Sequence, residues 1–340
     1  MVAASFDSFK SRDHKAHKSK IHLLQWNCTG KLIATGAADR TIRTWQTEGL
    51  SRHTQAHGKP EPYERTLKHT ADLLVLHWHP SEPFLLLSGT RDKRLWLWDA
   101  TSGAQKWAVN IGIEPTTLAW GPSGSEVAVL GTDKVANDTV CFVPVASKPV
   151  SFRKETHNDN EVNVAQRIRT ETFEDNEVLD IKFSQDGTLL FRATFNGNIV
   201  EVLEYTNRTG QLLHNLRGHV MQLTSLTVSP DDKWLAVCAA DAMLTMWNLD
   251  TMTNLWAFTR TDAAPTCATF SHDSQYVAFC QEREKTIRIL DTASGAHLHT
   301  ISTPEVPSGL AWNPKSSILA WSGYVDGRTD YCCLTLWAPP

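Results

Sequence analysis

His69, Ser88 and Asp92 have the side-chain types of a hydrolytic triad, in which an acid orients a histidine that takes the proton of a hydroxyl nucleophile. The combination recurs as His17, Thr35 and Asp39, and in part as His219 and Asp241. A catalytic constellation is normally built once in a chain, so the recurrence points to a structural unit. The spacing agrees. Asp39, Asp92 and Asp241 each stand six residues before a tryptophan (Trp45, Trp98 and Trp247), and each follows its histidine by 22 or 23 residues. Other chemistry is thin. His77-x-His79 and His53-x-x-x-His57 are the tight histidine pairs, and neither has further ligands nearby in sequence. The cysteines Cys28, Cys141, Cys238, Cys267, Cys280, Cys332 and Cys333 contain no C-x-x-C pair, and most fall in strand-like runs, which suits reduced core residues. No phosphate loop, nucleophile elbow or zinc signature is present. No catalytic residue, cofactor, metal or small-molecule substrate is expected.

The elements that carry these residues are short strands. Around Asp92, apolar runs at Leu73 to Trp78, Phe84 to Ser88 and Arg94 to Asp99 are bounded by turn residues and read as an antiparallel meander. Such a unit has two uncovered apolar faces and must stack on copies of itself. Copies are found by aligning the last apolar residue of the first strand: Trp26, Trp78, Trp120, Phe183, Val228, Phe270 and Trp312, spaced by 52, 42, 63, 45, 42 and 42 residues. A period near 42 with two insertions is that of a propeller blade, about 40 to 45 residues.

The expected fold is all-β, a seven-bladed propeller occupying residues 17–340 as one domain, with insertions near 47–64 and 146–172. Residues 1–16 are expected to be a basic arm that supplies the outer strand of the last blade, because the final repeat stops after its third strand near Leu334 to Trp337. Pairing of the two terminal strands removes the edges an open ring would expose. Some blades depart from the pattern. Blade three has an irregular third strand at Thr139 to Val143, and blade four has Asn196 in place of the turn acid. In blade five Val237 replaces the hydroxyl residue, leaving its polar set incomplete. Blade six has Glu284 at the acid position and Leu290 at the tryptophan position. Both insertions follow third strands and should emerge opposite the face that bears the turn acids.

Charge is nearly balanced, with 33 basic and 37 acidic residues, so nothing global demands a nucleic acid or an acidic lipid surface. No apolar run approaches the roughly 18 residues that span a bilayer. The N-terminus lacks the apolar stretch of a signal peptide. A soluble intracellular protein is expected, and the sequons at Asn27, Asn137 and Asn207 are then chance matches.

The His, turn Asp, hydroxyl and Trp spacings resemble WD-repeat proteins, in which these four side chains form a buried hydrogen-bonded tetrad. The resemblance implies tetrads at His17, Thr35, Asp39 and Trp45 and at His69, Ser88, Asp92 and Trp98, with a partial set at His219, Asp241 and Trp247. A narrower resemblance rests on Ala240-Asp241-Ala242, Trp247, Phe258, Arg260, Asp262 and Phe270-Ser271-His272-Asp273, on HWHPSEP at His77 to Pro83, on AWNPKSSILAW at Ala311 to Trp321, and on Asp326 to Asp330. These are similar to the THO complex subunit 3 family. That implies a non-catalytic scaffold in the nuclear THO/TREX assembly, which couples transcription to messenger RNA packaging and export. Its partners would be other THO/TREX subunits, above all a large helical one, with any RNA association indirect. The alternatives are a peptide reader or adaptor in a chromatin or ubiquitin-ligase complex, an RNA-binding propeller using the basic arm, and a propeller enzyme. The candidate partner-binding residues are the turn-face Arg40, Arg91, Lys93, Arg94 and Arg283, with Asp262 and Glu305 in nearby linkers; the charged segment Ser147 to Arg169 is the competing surface.

Overall fold

The structure, a computed structural model, describes residues 6–47, 63–133, 137–145, 168–173, 178–206, 209–259, 263–324 and 332–339. Among them, 28 strands form seven antiparallel four-stranded sheets, the blades of a seven-bladed propeller. Six sheets run in chain order from an innermost first strand to an outer fourth strand. The seventh joins the chain ends: Val306–Trp312, Leu319–Tyr324 and Cys332–Ala338 are followed, on the outside, by Lys10–His17. Lys10 pairs with Ala338 and His14 with Leu334, so the ring is closed by the N-terminal strand.

Burial follows from stacking. The second strands Leu32–Ala37 and Leu85–Thr90 are buried at every position, since each has a neighbouring blade on both sides. Alternate residues therefore serve different interfaces: Leu32 and Ala34 pack towards blade two, and Ile33 and Ala37 towards blade seven. Seven apolar clusters fill the seven junctions between blades. The register tryptophans also reach across them, Trp78 Nε1 donating to the Gln25 carbonyl at 3.0 Å and Trp26 Nε1 to the Ala311 carbonyl at 3.1 Å.

Each first strand carries a register shift after its first or second residue, between Ile21 and Leu23, Leu73 and Val75, and at the equivalent place in the other five blades. Such bulges increase local twist and bend the strand. Space beside them is scarce. A Cβ on Gly89, opposite Val75, would sit 2.6 Å from the Val75 side chain.

One local expectation changes. The third strand of blade three is regular, Asp138–Pro144, and pairs at all seven positions with Glu126–Thr132, because Val140 to Val143 are buried and so paired like any core strand. The intervals expected as insertions end in outer strands, Tyr63–Lys68 and Arg169–Phe173, which places the extra residues within blades one and three. Residues 48–62, 146–167 and 325–331, which hold the remainder of both insertions and the Asp326 to Asp330 excursion, lie outside the described residues.

Candidate functional site

Strand alternation puts the turns between second and third strands, and the links from outer strands to the next first strands, on one face of the ring. That turn face carries the three histidine networks. In blade one Trp45 Nε1 donates to Thr35 Oγ1 at 2.9 Å, the Thr35 hydroxyl lies 2.8 Å from His17 Nε2, and His17 Nδ1 lies 3.1 Å from Asp39 Oδ2. An indole can only donate and a carboxylate only accept, which assigns the His17 proton to Nδ1. Thr41 completes the set by donating its amide and hydroxyl to Asp39 Oδ1, at 3.0 and 2.6 Å. Burial pushes the Asp39 pKa up, but the bonds from His17 and Thr41 outweigh it and hold the carboxyl at about 2. These are triad distances without triad access. Thr35 is 0% exposed and its oxygen is already held by the indole, so no substrate reaches it.

Blade five corrects the expectation of an incomplete set. Thr245, on the third strand directly opposite Val237, supplies the missing hydroxyl: it lies 2.8 Å from His219 Nε2 and accepts from Trp247 Nε1 at 3.0 Å. His219 Nδ1 lies 3.0 Å from Asp241, which also accepts from the Val220 amide at 3.1 Å. The sequence signal was Thr-x-Trp at Thr245 to Trp247, the cross-strand route to the same slot.

Blade two corrects the other expectation. Trp98 Nε1 donates to Ser88 Oγ and Ser88 lies 2.9 Å from His69 Nε2, yet the buried His69 Nδ1 has no hydrogen-bond partner among the described residues. Asp92 does not complete the tetrad: its carboxylate accepts the Thr90 hydroxyl, which also takes Trp96 Nε1 at 3.1 Å, and it faces Arg94 at 3.9 Å. The cause is local sequence. Blade one has Ala37 and Thr41 where blade two has Thr90 and Arg94, so the helping hydroxyl stands on the other side of the turn.

A difference in stability follows. Asp241→Ala strands the His219 ring in a site where Asp241 is 5% exposed, and is expected to cost about 2 kcal/mol. Asp92→Ala removes a carboxylate that is 37% exposed, and is expected to cost under about 1 kcal/mol. Denaturant titration of the two variants checks this, and equal losses would contradict it.

Most of the candidate arginines are engaged with carboxylates nearby. Arg40 Nε donates to Asp72 at 2.9 Å; Arg91 lies 3.6 Å from the same carboxylate and 3.5 Å from Glu114, so the two arginines bridge blades one, two and three. Arg40, Lys93 and Arg283 have φ of 61°, 67° and 61°, the left-handed conformation that short strand turns require. Arg283 is 89% exposed and pairs with Glu282 at 3.5 Å. Glu305, expected as a contact residue, is buried; burial raises its pKa, the nearby Asp13 carboxylate adds to that and Lys285 opposes it. It packs beside Gly323 at the entry to blade seven and offers no surface. Asp262, with Arg260, lies outside the described residues.

Sequence reasoning missed the apolar part of this face. Val220 is 80% exposed, and Met221 and Phe195 are about half exposed, in the link into blade five and the turn of blade four. The available signal was an apolar pair, Val220-Met221, in a link where hydrophilic residues are usual.

The WD40 family model (WD domain, G-beta repeat) matches residues 9–46, 62–99 and 210–248, which span the outer strand of the preceding sheet and the first three strands of blades one, two and five. The chain is a seven-bladed propeller with WD repeats in blades one, two and five. The chain is similar to THO complex subunit 3 of Arabidopsis thaliana, 28% identical over 320 residues, 94% of this chain and 91% of that one. It is also similar to the WD repeat-containing protein AAC3 of Dictyostelium discoideum, 23% identical over 95% of this chain and 65% of the relative. Among solved structures, the Cps50 (Swd1) β-propeller domain of Myceliophteria thermophila superposes with a TM-score of 0.73 at 17% identity, covering 95% and 97% of the two chains. That likeness is one of fold.

Proposed function

We propose that this WD-repeat propeller is a non-catalytic scaffold subunit of a nuclear THO/TREX-type assembly, acting in transcription-coupled messenger RNA packaging and export. The observation that carries the reading is the end-to-end similarity to THO complex subunit 3, 94% of one chain against 91% of the other. The networks at His17, His69 and His219 suit the same role, because their hydroxyls hold the blades and are closed to substrate. The partner is another subunit of the assembly, a large helical one, met by the turn face. A stable contact needs about 800 Å² per partner. Val220, Met221 and Phe195 supply apolar anchors there, and Arg40, Arg91, Lys93, Arg94 and Arg283 set orientation. A phosphopeptide reader would need cations without carboxylate partners. Arg40, Arg91 and Arg94 each hold one, which favours the scaffold.

Charge reversal of Arg91 and Lys93 together is expected to weaken co-purification of a large helical partner from nuclear extract by about tenfold, the equivalent of about 1.4 kcal/mol. Deleting 150–160 is expected to leave it intact. The opposite pattern would move the interface to the other face, and recovery of no THO/TREX subunit by the unaltered protein would overturn the assignment. A melt of the Arg91 and Lys93 variant separates lost binding from lost bridges to Asp72 and Glu114.

A further inference from the structure

Blade six carries two thiols that neither the histidine networks nor the turn face use. Cys267, on the innermost strand Pro265–Phe270, is the register partner of Cys280 on the adjacent strand Tyr276–Gln281. Their sulfurs lie 3.0 Å apart. Directly opposed residues of an antiparallel pair have Cα atoms about 4.5 to 5.5 Å apart, within the range that a disulfide spans without backbone movement. The Thr266 hydroxyl is 3.4 Å from the Cys280 sulfur. Cys280 is fully buried in the core between blades six and seven, whereas Cys267 is partly exposed. Cys238, the next buried thiol in the chain, packs instead between blades five and six.

We propose that Cys267 and Cys280 form an oxidisable dithiol site, at which a hydroperoxide converts the pair to a cross-strand disulfide. Cys280 is the member that loses its proton first, because the Cys267 thiol donates to its sulfur and the Thr266 hydroxyl lies beside it; these contacts outweigh burial and lower its pKa while that of Cys267 rises. Cys267 is the member the peroxide reaches. Its sulfur attacks a peroxide oxygen and passes its proton to Cys280. The O–O bond breaks, and the departing alkoxide or hydroxide takes a proton from water. The Cys280 sulfur then attacks the sulfenic sulfur of Cys267, the S–S bond forms, the S–O bond breaks, and the hydroxyl leaves with the Cys280 proton as water. In sum, two thiols and one hydroperoxide give one disulfide, one alcohol (or water) and one water, and two electrons pass from sulfur to oxygen.

The test uses the full chain, folded, treated with hydrogen peroxide at a few equivalents, then denatured and alkylated for intact-mass and peptide analysis. The expected result is protection of two of the seven cysteines, a peptide linking Cys267 to Cys280, and reversal by dithiothreitol. Cys267→Ser and Cys280→Ser should each abolish the linkage, and Cys238→Ser should keep it. Alkylation of all the cysteines, a linkage between any other pair, or irreversible oxygen addition at either sulfur without the linkage would overturn the proposal. The mapping on unaltered protein decides it even where a serine variant fails to fold.

Discussion

Removing residues 1–17 is expected to destroy the cooperative fold. Lys10–His17 is the outer strand of blade seven, and its loss would leave Cys332–Ala338 as an open edge beside the buried Leu334, Leu336 and Trp337. The same cut removes Phe6, 6% exposed, whose ring packs against Phe9, Tyr276, His299 and Trp337 at centroid distances of 5.2 to 5.9 Å. It also removes His17, stranding Thr35 and Asp39 in blade one. Truncating one buried phenylalanine costs about 3 to 5 kcal/mol, against about 5 to 15 kcal/mol for an entire domain, so the combined loss exceeds what the remaining contacts hold. Size-exclusion chromatography and a thermal melt check this. Aggregation or a non-cooperative melt is expected, and a melting temperature equal to that of the full chain would refute closure as a source of stability. The milder Phe6→Ala should stay folded and melt roughly 10 °C lower.

Acid is expected to weaken the fold between about pH 6.5 and pH 4, starting above the range where ordinary carboxylates titrate. Burial holds the His69 pKa at about 4, with the Asp92 charge opposing, and holds that of His77 at about 3, where the Lys182 charge adds to burial and Asp180 opposes it. Both side chains take up protons near pH 6.5 in the unfolded chain but stay neutral in the fold, so the unfolded state binds more protons across the window. Stability therefore falls as pH falls, by about 3 kcal/mol for each histidine at the lower end. Asp39, depressed to about 2, contributes in the same direction only below its ordinary pKa of 3.8. Glu305 and Asp232 work the other way, since their raised pKa values favour the fold at low pH. Urea titrations at intervals from pH 7.5 to pH 4.5 measure the slope, and His77→Gln should reduce it by about half. A flat profile across that window would show that neither histidine is held neutral.

The chain's own pattern determined the architecture. The seven first-strand residues from Trp26 to Trp312 mark seven blades because each unit packs an apolar residue at the same place, and the N-terminal strand Lys10–His17 closes the ring against Cys332–Ala338. Spacing also located His17, Asp39 and Trp45, since residues fixed by one turn and one strand keep constant offsets along the chain. Tertiary structure decided what lies across strands and between blades, which spacing does not record. Thr245 replaces the hydroxyl lost at Val237 because the two are cross-strand neighbours. Asp92 is drawn to Thr90, and His69 Nδ1 is left without a partner among the described residues, because a single hydroxyl has moved across a turn. Arg40 and Arg91 meet at Asp72 because adjacent blades bring their turns together, and Glu305 is buried although its linker reads as surface. Cys267 and Cys280 stand 13 residues apart in the chain yet 3.0 Å apart at sulfur, because antiparallel register, set by the bulge after Pro265, places them opposite one another.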